Sequence, residues 1–120
     1  MREITVPADI NLVDLVTGES IEAFSYYRWL VGRAIRDPKF AQNREGKVDD
    51  QGAYYGLEIW QKFKGKKGGD KVRIEEECHR RLLSSVTSPQ VPYDPGIMCQ
   101  CTTFFDSVKD AVKIDPADAA

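Results

Sequence analysis

The chain has a single histidine, which leaves little for the nucleophilic chemistry of serine or cysteine to work with. A serine or cysteine nucleophile normally works with a neighbouring base. Here His79 follows Cys78 directly, and adjacent residues on a helix do not face each other. GxSxG, HExxH, Walker A and GxGxxG patterns are all absent. No catalytic residue and no cofactor are therefore expected. Cysteine is also sparse, at three residues. The count is odd, and Cys99 and Cys101 stand too close together for a disulfide framework, so reduced thiols and a cytoplasmic setting are expected. Cys78, His79, Cys99 and Cys101 could supply four soft or borderline metal ligands. They lack the C-x₂₋₄-C spacing of structural zinc sites, and helical geometry spreads them apart, so no metal is expected. The chain has no apolar run near the roughly 20 residues that span a bilayer, and Met1-Arg2-Glu3-Ile4-Thr5-Val6-Pro7 does not read as a signal peptide. It also lacks an excess of positive charge. Its 17 basic and 19 acidic residues leave a formal charge of −2, against a nucleic-acid or membrane binder that uses its whole surface.

What is present fits a globular chain. Hydrophobic residues make up 42% and charged residues 30% of 120 positions, enough to bury a core in one domain. We read a single domain over 1–114 with a polar tail at 115–120. Glu3 to Val6 is β-prone and Pro7 stops it. Two apolar runs, Leu12-Val13-Asp14-Leu15-Val16 and Ile21-Glu22-Ala23-Phe24, flank the turn signal Thr17-Gly18-Glu19-Ser20 and predict a hairpin or arm. Ser25 suits the N-cap of a first helix, with Tyr27, Leu30, Val31, Ala34 and Ile35 on its core face. Asp37-Pro38 ends it, and residues 39–47 read as a loop. Asp49 or Asp50 caps a second helix whose core stripe is Ala53, Gly56, Leu57, Trp60 and Phe63. Gly65-Lys66-Lys67-Gly68-Gly69-Asp70 breaks that helix. Residues 71–74 suit a short strand. Glu75, Glu76 and Glu77 open a third helix, where their charge complements the helix dipole, with Cys78, Leu82 and Val86 inward. A proline-rich connection over 88–96 follows. The last helix is expected to carry Ile97, Cys101, Phe104, Phe105, Val108, Ala111 and Val112 on one face. The fold class is α+β: mostly helical, about four helices, with a short N-terminal β arm or hairpin.

Two surface patterns bear on function. Beside the expected core face of the first helix, Tyr26, Trp29, Arg33 and Arg36 form a second stripe. Aromatic residues with arginine are the composition of protein-binding hot spots. The alternative is that the N-terminal arm covers the two rings and the arginines are merely solvated. The other pattern is a basic segment over 62–73, in which Lys62, Lys64, Lys66 and Lys67 are candidate phosphate ligands. Its alternative is a solvated turn, with lysines near the negative end of the second helix. Tyr54 and Tyr55 add aromatic surface.

Several stretches together resemble small proteins of long-tailed bacteriophages. They are the opening Glu3-Ile4-Thr5-Val6-Pro7, the turn Leu15-Val16-Thr17-Gly18-Glu19, the helix ending Arg36-Asp37-Pro38-Lys39-Phe40, and Gly69-Asp70-Lys71-Val72-Arg73-Ile74 before an acidic helix start. The closing helix with paired phenylalanines and the short Ala-rich tail belong to the same pattern. The family looks like the tail-gene products that include tail assembly chaperones. This resemblance implies an assembly factor in the host cytoplasm that binds the tape measure protein or tail tube subunits and covers apolar helices before polymerisation. It also implies that a longer product can arise by frameshifting near the C-terminus. A structural part of the tail or neck is the alternative within the same family. Outside it stands a nucleic-acid-binding accessory protein using segment 62–73. A homo-oligomer is compatible with each.

Overall fold

The computed structural model describes residues 1–91 and 94–115. Pro92 and Tyr93 of the expected irregular connection, and tail positions 116–120, lie outside them. The elements in order are β1 (Arg2–Thr5), β2 (Ile10–Val13), β3 (Ser20–Phe24), α1 (Tyr26–Trp29) continuing into a π-helical turn (Leu30–Ala34), α2 (Pro38–Ala41), α3 (Gln51–Phe63), β4 (Lys71–Ile74), α4 (Glu76–Thr87), α5 (Pro95–Met98), a 3-10 turn (Cys99–Cys101), α6 (Thr102–Lys109) and β5 (Val112–Lys113). The fold is α+β and mostly helical.

β1 is the middle strand of a three-stranded antiparallel sheet in the order β4-β1-β5. Alternation sets its two faces. Ile4, Val72 and Ile74 point into the core. Glu3 lies across from Arg73 in the register, and its carboxylate pairs with the Arg73 guanidinium at 3.1 Å. β2 and β3 form a separate two-stranded hairpin, Ile10 opposite Phe24 and Leu12 opposite Glu22. Ser25 caps α1 by accepting the Arg28 N–H at 3.1 Å, as expected for that residue type. The glutamate run starts α4 at Glu75, and Cys78, Leu82 and Val86 are all buried. α4 packs against α2, α6 and the π-helical turn, at the centre of the molecule.

Four expectations are corrected. Residues 39–41 are helical and not loop, because Pro38 takes the first helical position and Asp37 accepts the Lys39 N–H. The last helix ends at Lys109, and Val112 leaves it to pair with Glu3 as part of β5. The first helix turns Tyr26 and Trp29 into the core while Tyr27, Val31 and Ile35 are only half-buried. Its π-helical turn, marked by the Ile35 N–H donating to the Leu30 carbonyl at 3.0 Å, inserts an extra residue that a 3.6-residue count does not foresee. On α3 the buried positions are Ile59 and Phe63, whereas Ala53, Leu57 and Trp60, expected inside, face outward. A polar pair fixes that rotation. The Lys62 ammonium donates to Glu58 at 3.0 Å and to the Arg73 carbonyl at 2.8 Å. The Glu58 carboxylate accepts the Glu75 N–H at 3.2 Å. Both side chains anchor α3 to the β4–α4 junction, so Ile59 between them points inward. The Lys62 contact also covers a carbonyl on the free edge of β4, which discourages further strand pairing there.

Candidate functional site

Tyr26 and Trp29 are each 1% exposed. Their rings lie 5.6 Å apart, Trp29 sits 5.7 Å from Phe104 and 5.2 Å from Phe105, and Tyr26 sits 5.8 Å from Phe63. The Tyr26 and Ser107 hydroxyls share a 2.8 Å hydrogen bond, and burial drives the phenol pKa up. The aromatic half of the expected partner stripe is therefore core, because five large rings have no other place to be buried together. Arg33 is half-buried and reaches Asp37 at 3.3 Å, while Arg36 is exposed. The four residues do not form one surface. From the arm, Phe24 packs at 6.1 Å against Phe104, the ring that also touches Tyr26 and Trp29.

Segment 62–73 brings together only part of its basic side chains. Lys62 is engaged by Glu58 and a backbone carbonyl. The Lys64 ammonium sits 4.8 Å over the Trp60 ring. Only Lys62 and Lys66 of the four line a shallow concavity of ≈ 590 Å³ shared with Glu3, Lys71, Val72 and Arg73. Glu3 already pairs there with Arg73 at 3.1 Å and Lys71 at 3.9 Å, which places a competing carboxylate where a phosphate needs free cations. Lys67 contributes its backbone N–H to Asp70 at 2.9 Å.

Cys78 and Cys101 are core residues and Cys99 is exposed. Burial pushes the Cys78 and Cys101 thiols up, away from the reactive thiolate form. His79 is buried, with Nε2 at 2.7 Å from the Val108 carbonyl, so that nitrogen carries the proton and ties α4 to α6. Among the described residues no three His, Cys, Asp or Glu side chains converge on a metal position, and no helix is long and apolar enough to cross a membrane.

One polar cluster was not legible in the sequence. Arg81 is 2% exposed and donates to the Phe40 carbonyl at 3.2 Å and to Asp49 at 2.9 Å, with its guanidinium 5.4 Å from the Tyr55 ring centre. Burial works against the Asp49 charge, but Arg81 outweighs it and holds the carboxyl below its ordinary range. The cluster fastens the loop before α3 onto α4. It is a structural clamp.

Among the described residues, exposed apolar side chains cluster at two places. One is the outward stripe of α3, where Tyr54 is 62%, Leu57 48% and Trp60 43% exposed. The other is the tip of the β2–β3 arm, where Leu15 and Ile21 are each 60% and Val16 95% exposed. Local chemistry holds the tip in shape. The Asp14 carboxylate accepts the Val16 N–H at 2.8 Å and the Thr17 N–H at 3.1 Å, and Gly18 takes the left-handed conformation that closes the turn. Those two donors keep the Asp14 carboxyl below its ordinary pKa. Val16 is thus presented, not merely unplaced. At the base of the arm, the Gln100 amide mimics a neighbouring strand. Its oxygen accepts the Val13 N–H at 3.0 Å and its NH₂ donates to the Val13 carbonyl at 3.0 Å. Leu15, Ile21 and Val13 then face Ile97 across an open cleft of ≈ 270 Å³, with Asp14 and Asp94 at its rim. The hairpin was legible in the sequence, but the exposure of its apolar tip was not. The available signal was three large apolar residues around a tight polar turn, where nothing nearby can bury them.

No protein-family model matches the chain, and neither the curated proteins nor the solved structures include a significant match to it.

Proposed function

We propose that this protein is a tail assembly chaperone of a long-tailed bacteriophage, or a closely related assembly protein, acting in the host cytoplasm. In this reading it binds the tape measure protein or tail tube subunits before they polymerise, and the contact is made by the β2–β3 arm. The observation that carries the reading is the arm tip: Leu15, Val16 and Ile21 stand exposed on a hairpin that Asp14 and Gln100 hold rigid. A preshaped apolar projection loses little conformational freedom on binding. Its neighbouring cleft, apolar with acidic groups at the rim, suits an apolar helix that carries a basic residue at its flank. Further support comes from the stretches that resemble phage tail-module proteins, one of which is the arm turn itself. A structural role in the tail or neck uses the same projection, and differs in that the protein stays in the finished particle.

Co-expression with the tape measure and tube genes of the same phage tests this. Affinity purification at high salt should recover one of those products with the wild-type chain. It should not recover it with Val16→Asp combined with Ile21→Asp, both of which sit in solvent and leave folding intact. Recovery that ignores the arm variant, or recovery of nucleic acid released by salt, overturns the assignment.

A further inference from the structure

The outward stripe of α3 has a symmetry that the arm lacks. With about 100° of rotation per residue, Asp50, Ala53, Tyr54, Leu57, Trp60, Gln61 and Lys64 all fall within about 60° of the direction of Leu57. Their spacing is mirrored about Leu57. Tyr54 precedes it by three positions and Trp60 follows by three; Asp50 precedes it by seven and Lys64 follows by seven. The stripe therefore reads acid, aromatic, aliphatic, aromatic, base. The apolar members are solvent-exposed, and no other element covers them among the described residues. Among the described residues the two end charges make no ion pair. Asp50 stands at the N-cap position but makes no side-chain cap, and among the described residues it has no ion pair. Lys64 rests only over the Trp60 ring, which keeps its ammonium on this same face.

We propose that α3 pairs antiparallel with α3 of a second copy, across a two-fold axis passing beside Leu57. In that arrangement Leu57 meets its own counterpart. Tyr54 lies level with Trp60 of the other copy, and Asp50 meets the Lys64 ammonium roughly 10 Å from the axis at each end of the seam. One two-fold operation satisfies every member of the stripe, which is what an isologous contact requires. A parallel arrangement would place like charges together at both ends. The antiparallel helix dipoles also favour it. A seam of one helix per copy is small beside a standard protein interface, so the dimer is a weak one that forms with rising concentration. It leaves both arms free, and gives the assembly two of them.

Sedimentation equilibrium of the full chain across the micromolar range tests the pairing. The wild type should shift from monomer to dimer, with a blue shift of Trp60 fluorescence over the same range. Leu57→Asp, on an exposed position, should remain monomeric with unchanged circular dichroism. Asp50→Lys and Lys64→Glu should each dimerise about tenfold more weakly than wild type, since each places two like-charge contacts at the seam. Mixing those two variants should restore dimerisation to the wild-type level, because in the mixed dimer every end contact is again opposite in sign. A chain that stays monomeric throughout, or a dimer indifferent to Leu57→Asp and to mixing, overturns the proposal. Either result is independent of the arm, whose partner is read by co-purification.

Discussion

Asp37 joins three pieces of chain through one carboxylate. It accepts the Lys39 N–H at 2.9 Å, the Gln90 N–H at 3.1 Å and the Val91 N–H at 3.4 Å, and pairs with Arg33 at 3.3 Å. Burial opposes its charge, but these donors together outweigh burial and hold the carboxyl below its ordinary value of 3.8. Asp37→Ala strands several backbone donors and should lower stability by about 2–4 kcal/mol in a denaturant melt. Asp37→Asn, which keeps an acceptor but not the charge, should lose less. His79 acts in a different pH window. Burial disfavours the charged imidazolium while Nε2 keeps the proton it donates to the Val108 carbonyl, so the pKa falls below 6.5. The folded state then binds fewer protons than the unfolded state just below that value. Its contribution is complete above pH 6.5 and is lost as pH falls from there toward the folded pKa, with a slope of at most about 1.4 kcal/mol per pH unit. His79 is the chain's one histidine, and the shifted carboxylates, Asp37 among them, act at lower pH. His79→Gln, which keeps a donor near the Val108 carbonyl, should therefore flatten the stability profile just below pH 6.5. An unchanged slope would place the titrating group elsewhere.

At the scale of elements, the arm depends on a side chain that imitates a strand. Gln100→Ala removes both contacts to Val13, and amide exchange across β2 and β3 should speed up while α4 stays protected. Equal acceleration in α4 would mean that Gln100 supports the core and not the arm. The elements also show what patterns in the sequence can and cannot say. The hairpin, the Ser25 cap, the acidic start of α4 and its inward Cys78, Leu82 and Val86 were legible, because each depends on local turn chemistry or a single periodic stripe. The rotation of α3 was not. That helix has two apolar stripes, and the choice between them rests on Glu58 and Lys62 reaching β4 and Glu75, partners many residues away. The fate of Tyr26 and Trp29 was hidden similarly. Phe63, Phe104 and Phe105 meet them only in the folded chain, aided by a π-helical turn with no sequence signature. Two of the four residues expected on a partner surface are therefore buried. The two rings of the aromatic–arginine stripe became core while Arg36 stayed exposed, and exposed apolar side chains cluster at the arm tip and on α3.

For the whole molecule, β1 is the strand on which the sheet depends, since β4 and β5 pair with it and not with each other. The Ile114 N–H also donates to the Met1 carbonyl at 2.8 Å, bringing the two ends of the described fold together. Removing residues 1–6 should abolish cooperative unfolding altogether instead of trimming stability, because Ile4 and Val6 leave the core with it. A truncated chain that still melts in one sharp transition would contradict this. The molecule measures 49 × 32 × 21 Å, with a radius of gyration of 14.7 Å, above the ~13.5 Å of a compact chain this long. An elongated body with an apolar hairpin tip suits a protein that reaches into a partner. Hydrogen–deuterium exchange of the protein alone and saturated with the tail protein it is proposed to bind tests that claim most directly. The account predicts new protection over residues 10–24 and at Ile97, with segment 62–73 unchanged. Protection confined to 62–73, with the arm exchanging as in the free protein, would contradict it.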